Sequence, residues 1–143
     1  MPIPKEPIVF FKPLSAICGP NDNTVMPKGA TKLDWEVELG IVIGKRSSYL
    51  KKEQAKSAIA GYFLSNDVSE RVFQIERAGQ WTKGKGCETF GPIGPWVATK
   101  DEIKDPQNLN IWLKVNGEYR QNGNTKTMVF NCEEIVWWCS QYF

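Results

Sequence analysis

The sequence predicts a β-rich α+β chain with short helices, and three features carry that prediction. Stretches such as "VELGIVIG" and "GYFLSNDVS" read as strands. Asn116-Gly117 lies between two alternating runs, the strongest short-range signal for a hairpin. Residues 75–95, with "KGKG" and "GPIGP", carry the Gly and Pro density of a loop.

Taken in order, residues 33–44 read "LDWEVELGIVIG". Side chains alternate faces along a strand, so an extended chain places Asp34, Glu36 and Glu38 on one face and Trp35, Val37 and Leu39 on the other. "SSYLKKEQAKSAIAG" then reads as a polar helix whose Ala55, Ala58 and Ile59 share a face, with Gly61 placed to end it. Strand character returns at "GYFLSNDVS". "IWLKVNGEYRQ" predicts a type I′ hairpin, and a second turn at "QNGNT" leads into "KTMVF". Asn131 followed by Glu134 has the spacing of a capping box opening the helix "EEIVWWCSQYF". That helix is still aromatic at its end, without a Gly or Pro terminator, and reads as cut. Its Val136, Trp137, Trp138, Tyr142 and Phe143 place apolar area on too many faces for a helix with one side in water.

The chain of 143 residues has the size of one ordinary domain, and a single partial domain over residues 1–143 is expected. Its 18 basic and 16 acidic residues give a formal net charge of +2, with the lysines scattered, so nucleic acid is not suggested. No apolar run approaches the ~20 residues that span a bilayer, and "MPIPKEPIVFF" lacks the basic start and apolar middle of a signal peptide. The expected address is cytoplasmic, without membrane partners.

Cys18, Cys87, Cys132 and Cys139 form no C-x-x-C pair and are too sparse for a disulfide scaffold, so they are expected reduced and mostly buried. The sequence contains no His. That excludes a Ser-His-Asp triad, a Cys-His pair, H-E-x-x-H and the common zinc sets. A metal here must be bound by oxygen, and carboxylates suit Mg, Mn or Ca rather than zinc or copper.

A solvated strand face accounts for Asp34, Glu36 and Glu38 taken alone, and an Asn66-Asp67 turn accounts for "SNDVS" taken alone. The combination carries more weight: E-x-E on one strand, then N-D-x-S-x-R, then Lys85 in a Gly-rich stretch. Asp67 also follows Tyr62, Phe63 and Leu64, a run too apolar to be fully exposed.

At these residues the sequence resembles the fumarylacetoacetate hydrolase family, in its C-terminal catalytic domain. The resemblance runs from "FFKPLSAICGPND" through "LDWEVELGIVIGK", "AGYFLSNDVSERVFQ", "WTKGKGCETFGPIGPW" and "DEIKDPQNLNIWLKVNGEYRQNGNT" into "EEIVWWCSQ". It implies mixed β-sheets rolled on one another, a homodimer, and a Mg2+, Mn2+ or Ca2+ ion held by three carboxylates that fall on Glu36, Glu38 and Asp67. Asp34 matches no family ligand. Lys85 matches the family's lysine beside the metal, Gln74 matches a position near substrate, and Arg71 matches too, either as a substrate contact or as a structural ion pair.

The activity implied is cleavage of a C–C bond in a 2,4-dioxo acid of the acylpyruvate type, through a pyruvate enolate whose charge Lys85 helps to stabilise. Isomerisation or decarboxylation of 2-hydroxyhepta-2,4-dienedioate-type acids, and a catalytically inactive metal-binding remnant, are the alternatives. Two departures from the family pattern bear on these. Some hydrolytic members use a His and Glu pair on a lid, and this sequence has no His. The family's Gly-Asp strand and T-G-T-P loop, which supplies a substrate-binding threonine, do not follow Phe143, so a truncated copy with weakened activity is expected.

Overall fold

The computed structural model describes residues 3–143. The described strands are β1 (Ile17–Cys18), β2 (Leu33–Asp34), β3 (Val37–Ile43), β4 (Ile59–Asn66), β5 (Ser69–Glu70), β6 (Gly91–Pro92), β7 (Ala98–Thr99), β8 (Asn110–Val115) and β9 (Glu118–Asn124). The α-helices are α1 (Ala55–Ala58), α2 (Thr82–Lys85) and α3 (Cys132–Cys139). The chain is mixed α+β. β1 pairs with β6 in parallel, β2 with β5 antiparallel, and β8 with β9 antiparallel, while β3, β4 and β7 form a three-stranded sheet in that order.

The chain divides into two compact units. One comprises residues 9–39 and 64–96, and contains β1, β2, β5, β6 and α2. Its interior is unusual in composition. Ala16, Ala30, Val68 and Phe90 supply the buried apolar side chains, and Asp67, Ser69, Glu70, Gln74 and Lys85 are buried with them. Burying so many polar groups is tolerable only if each is paired. Glu70, with no exposed surface, shows how. Its Oε1 accepts from the backbone N–H groups of Thr31 (2.9 Å) and Lys32 (2.7 Å), and its Oε2 from that of Phe73 (2.6 Å). One carboxylate thereby ties the approach to β2 to a single π turn at Val72–Glu76. Burial works against its ionisation, but those three donors and nearby Arg77 outweigh it and hold the Glu70 pKa below its ordinary value.

The other unit comprises residues up to 8, 40–63 and 97–143. Its buried side chains are mainly apolar: Ala55, Ala58, Ile59, Tyr62, Cys132 and Val136. The hairpin β8–β9 turns at Asn116 and Gly117, both at positive φ (52° and 83°), as a type I′ turn requires. Asn131 caps α3 as the sequence predicts: its Oδ1 accepts from the Glu134 N–H at 2.8 Å, and Glu134 Oε2 accepts from the Asn131 N–H at 3.0 Å.

Three local readings are corrected. The polar helix predicted at 47–61 is only a 3-10 turn at Lys52–Gln54 followed by α1, because the chain enters β4 at Ile59. Gly61 is not a helix terminator but a strand glycine. A Cβ there would lie 2.3 Å from the Ala98 carbonyl oxygen across the β4–β7 pair, so glycine is required by close approach. The turn predicted at "QNGNT" falls later, at Thr125–Thr127, since β9 runs on through Asn124.

Candidate metal centre

The three carboxylates lie on elements that the backbone locks together. The Asp67 N–H donates to the Glu36 carbonyl (2.8 Å), and the Glu36 N–H donates to the Asn66 side-chain oxygen (3.0 Å). These bonds seat the end of β4 against the entry to β3. Glu36 and Glu38 then emerge two residues apart, on the same side of an extended chain. Glu36, Glu38 and Asp67 each bring a carboxylate oxygen to within 4.8 Å of the others.

Asp34 is not among the candidate ligands, as the family pattern implies, but its carboxylate meets the same Arg71 nitrogen as Glu36. β2 ends at Asp34, and Trp35 and Glu36 lie between it and the start of β3 at Val37. Asp34 instead accepts from Arg71 Nε at 2.8 Å through Oδ2 and from the Trp35 N–H at 2.9 Å through Oδ1.

Lys85 is where sequence reasoning placed it chemically but not structurally. It closes α2 rather than sitting in a Gly-rich loop, and only 1% of its surface is exposed. Gly84 makes that possible. A Cβ at this position would lie 2.4 Å from the Glu70 carbonyl oxygen and 2.5 Å from the Gln74 nitrogen, so only glycine lets α2 pack so closely. The Lys85 ammonium bridges Asp67 Oδ2 (2.6 Å) and Glu36 Oε2 (2.9 Å), with the Phe10 ring 5.0 Å from it. Arg71 serves as a second hub, donating to Glu36 Oε1 (2.6 Å) and, through NH1, to Gln74 Oε1 (2.8 Å). Burial lowers the basicity of the guanidinium, but its bonds to Asp34 and Glu36 outweigh that and push its pKa upward. Gln74 is buried, and its contact with Arg71 makes it a support for that side chain as well as a substrate-facing candidate.

Lys12 was missed by sequence reasoning. The available signal was a cation inside the apolar run "IVFFKP", where a lysine needs a partner. Its ammonium donates to Asp67 Oδ1 at 2.5 Å. Both oxygens of Asp67 and both oxygens of Glu36 are therefore in ion pairs. Glu38 is the most exposed of the three acids. Desolvation of its carboxyl, then the charges of Asp67 and Glu36, push its pKa up to about 7 despite Lys85 and Lys12 nearby.

The donor set fits a hard divalent cation: three carboxylate oxygens in reach of one another, no soft ligand, and an exposed acid at the open side. The repulsion of Asp67 and Glu36 on Glu38, which adds to its desolvation, is what a cation would relieve. The cysteines do not compete for such a role. All four are free, but only Cys132 is buried rather than most of them as expected, and desolvation raises every one of their thiol pKa values, which keeps them protonated.

The chain is thus a mixed α+β fold carrying three converging carboxylates, two of which a buried lysine bridges. The chain belongs to the family described as Fumarylacetoacetate (FAA) hydrolase C-terminal, which matches residues 1–143. A Burkholderia cenocepacia (strain HI2424) protein, provisionally named a hydrolase, is 58% identical over 136 residues, covering 95% of this chain and 48% of that protein. The chain thus spans about half the length of the curated relatives it matches. Among solved structures, 2-hydroxyhepta-2,4-diene-1,7-dioate isomerase from Mycobacterium marinum is 40% identical with a TM-score of 0.91, covering 98% of this chain and 54% of that one. 5-Carboxymethyl-2-hydroxymuconate delta-isomerase from Mycobacterium smegmatis is 37% identical, also with a TM-score of 0.91 and the same coverage. Among the described residues, no helix is long and apolar enough to cross a membrane.

Proposed function

We propose that Glu36, Glu38 and Asp67 hold a Mg2+ or Mn2+ ion and that the site hydrolyses the C–C bond of a 2,4-dioxo acid of the acylpyruvate type. The observation that carries this reading is the convergence of the three carboxylates with a buried lysine bridging two of them. A divalent cation bound there would supply Lewis-acid polarisation of a chelating 2-oxo acid.

The chain's own residues supply the rest. Lys85 is a fixed positive charge in a desolvated setting, suited to neutralising the oxygen of an enolate as the C–C bond breaks. Arg71, anchored by Asp34 and Gln74, is placed to attract a substrate carboxylate with the part of its charge not spent on Glu36. The isomerase names of two similar solved structures favour a second reading, in which a closely similar enolate, that of the intact substrate, loses and regains a proton with no C–C bond broken. Both readings use Lys85 identically.

The test is to incubate the chain with Mg2+ and either an acylpyruvate or 2-hydroxyhepta-2,4-dienedioate, follow the enol absorbance and identify products. Pyruvate release supports hydrolysis, and a shifted double bond supports isomerisation. Lys85→Met should lower either rate by ~10²-fold or more. No turnover of either class at saturating Mg2+ would overturn both readings for this chain.

A further inference from the structure

The Lys12 ammonium has three N–H donors and three acceptors: Asp67 Oδ1 at 2.5 Å, the Val68 carbonyl at 3.3 Å, and the Lys85 carbonyl. Those acceptors come from two segments far apart in sequence. Asp67 and Val68 follow the end of β4, and Lys85 is the last residue of α2. The carbonyl taken by Lys12 belongs to the very residue whose side chain bridges Glu36 and Asp67. A cation at the C-terminal end of a helix is favourable in itself, since the last carbonyls lack partners within the helix. Here it also fixes the carboxylate that the ammonium of Lys85 must meet.

We propose that Lys12 is a positioning residue for the metal centre: it sets the orientation of the Asp67 carboxylate and the height of Lys85 over it, while facing neither cation nor substrate. This rests on the reading of Glu36, Glu38 and Asp67 as ligands. A simple charge argument gives the opposite expectation. A lysine beside a ligand carboxylate repels a divalent ion, so its removal alone would tighten binding. If Lys12 positions Asp67, removal weakens binding, because a carboxylate held through Oδ2 alone, by Lys85, must be re-ordered each time an ion binds. Loss of an outer hydrogen-bond partner of a ligand costs ~10 to 100-fold in metal affinity.

The test uses the chain as it is, with three substitutions at one position. Mn2+ affinity is measured by electron paramagnetic resonance titration for the parent, Lys12→Met, Lys12→Gln and Lys12→Arg. Lys12→Met should bind Mn2+ at least ~10-fold more weakly, and Lys12→Arg, which keeps the charge and several donors, should recover most of that loss. Equal or tighter binding by Lys12→Met would overturn the proposal. A metal-free arm reads the ammonium groups directly by nitrogen-detected NMR. The parent should show a slowly exchanging Lys85 ammonium, and that signal should broaden or vanish in Lys12→Met while the backbone spectrum stays folded. A Lys85 ammonium unchanged in Lys12→Met would overturn the proposal whether or not the parent binds metal. If Lys12→Met does not fold, Lys12→Gln, which keeps one amide donor for Asp67, is read in both arms against the same criteria. Failure of the parent to bind Mn2+ would instead strike the ligand assignment, which separates the two outcomes.

Discussion

The two compact units are organised by different forces. Residues 9–39 and 64–96 bury two acids, a lysine and a glutamine beside a few small or aromatic apolar side chains, whereas the remaining unit buries mostly Ala, Ile, Tyr and Val. In the first, position is set by charge and by hydrogen bonds between residues 30 or more apart, such as Thr31 with Glu70 and Glu36 with Asp67. In the second, much is set locally, by the Asn116-Gly117 turn and the Asn131–Glu134 cap. Removing one partner from a buried polar network strands the others, while a trimmed apolar contact leaves a void of limited cost. The site-bearing unit should therefore be the more fragile to single substitutions and the more sensitive to pH.

The largest structural effect is expected at Glu70. Glu70→Ala leaves the N–H groups of Thr31, Lys32 and Phe73 without their acceptor, and should destabilise the unit by about 3 kcal/mol, at roughly 1 kcal/mol for each part-buried bond to the carboxylate that is lost. Urea unfolding followed by intrinsic tryptophan fluorescence, against Glu70→Gln as a partial replacement, measures it. Gly84→Ala comes next. The added methyl must displace backbone at Glu70 or Gln74, so a loss of about 1–3 kcal/mol is expected, with weaker Mn2+ binding because α2 carries Lys85. In the other unit, Asn131→Ala should cost about 1 kcal/mol by removing the cap of α3, and should leave Mn2+ affinity unchanged. A change in metal affinity from Asn131→Ala would break the contrast drawn between the units.

The pH dependence sharpens it further. In the metal-free chain the Glu38 pKa is raised from 4.5 to about 7, so the folded state holds that proton more tightly than the unfolded chain. The stability contributed by Glu38 is full below 4.5 and is lost as pH rises through about 7. Glu70 has the opposite sign. Its pKa is lowered on folding, so its contribution is present above the ordinary carboxylate value and is lost as pH falls through the lowered one. Thermal melts of metal-free protein between about pH 2 and 8 should flatten above pH 4.5 in Glu38→Gln and lose their acid limb in Glu70→Gln.

How much of this was legible in the sequence follows the same division. The hairpin and the α3 cap were readable because each depends on residues within three positions of one another. The three acids and Lys85 were reached through the family resemblance at "EVE", "SNDVSER" and "KGKG", whose residues also come together in space. Alternation grouped Asp34 with Glu36, and the two carboxylates do meet on Arg71, but that Asp34 anchors this guanidinium while staying outside the group of candidate ligands depends on a partner more than 30 residues away. The same distance hid Lys12, 55 residues from Asp67. Helix propensity over "KKEQAKSA" was overruled by the pairing of β4, which claims Ile59 onward.

The central claim is that Glu36, Glu38 and Asp67 together hold one divalent cation. Mn2+ titration of the chain at pH 7.5, read by the loss of the free-ion paramagnetic signal, tests it most directly. The account expects one saturable site per chain that Mg2+ competes for and that Glu36→Gln abolishes while the metal-free fold persists. A titration with no saturable site, or a site that survives Glu36→Gln, Glu38→Gln and Asp67→Asn alike, would contradict it.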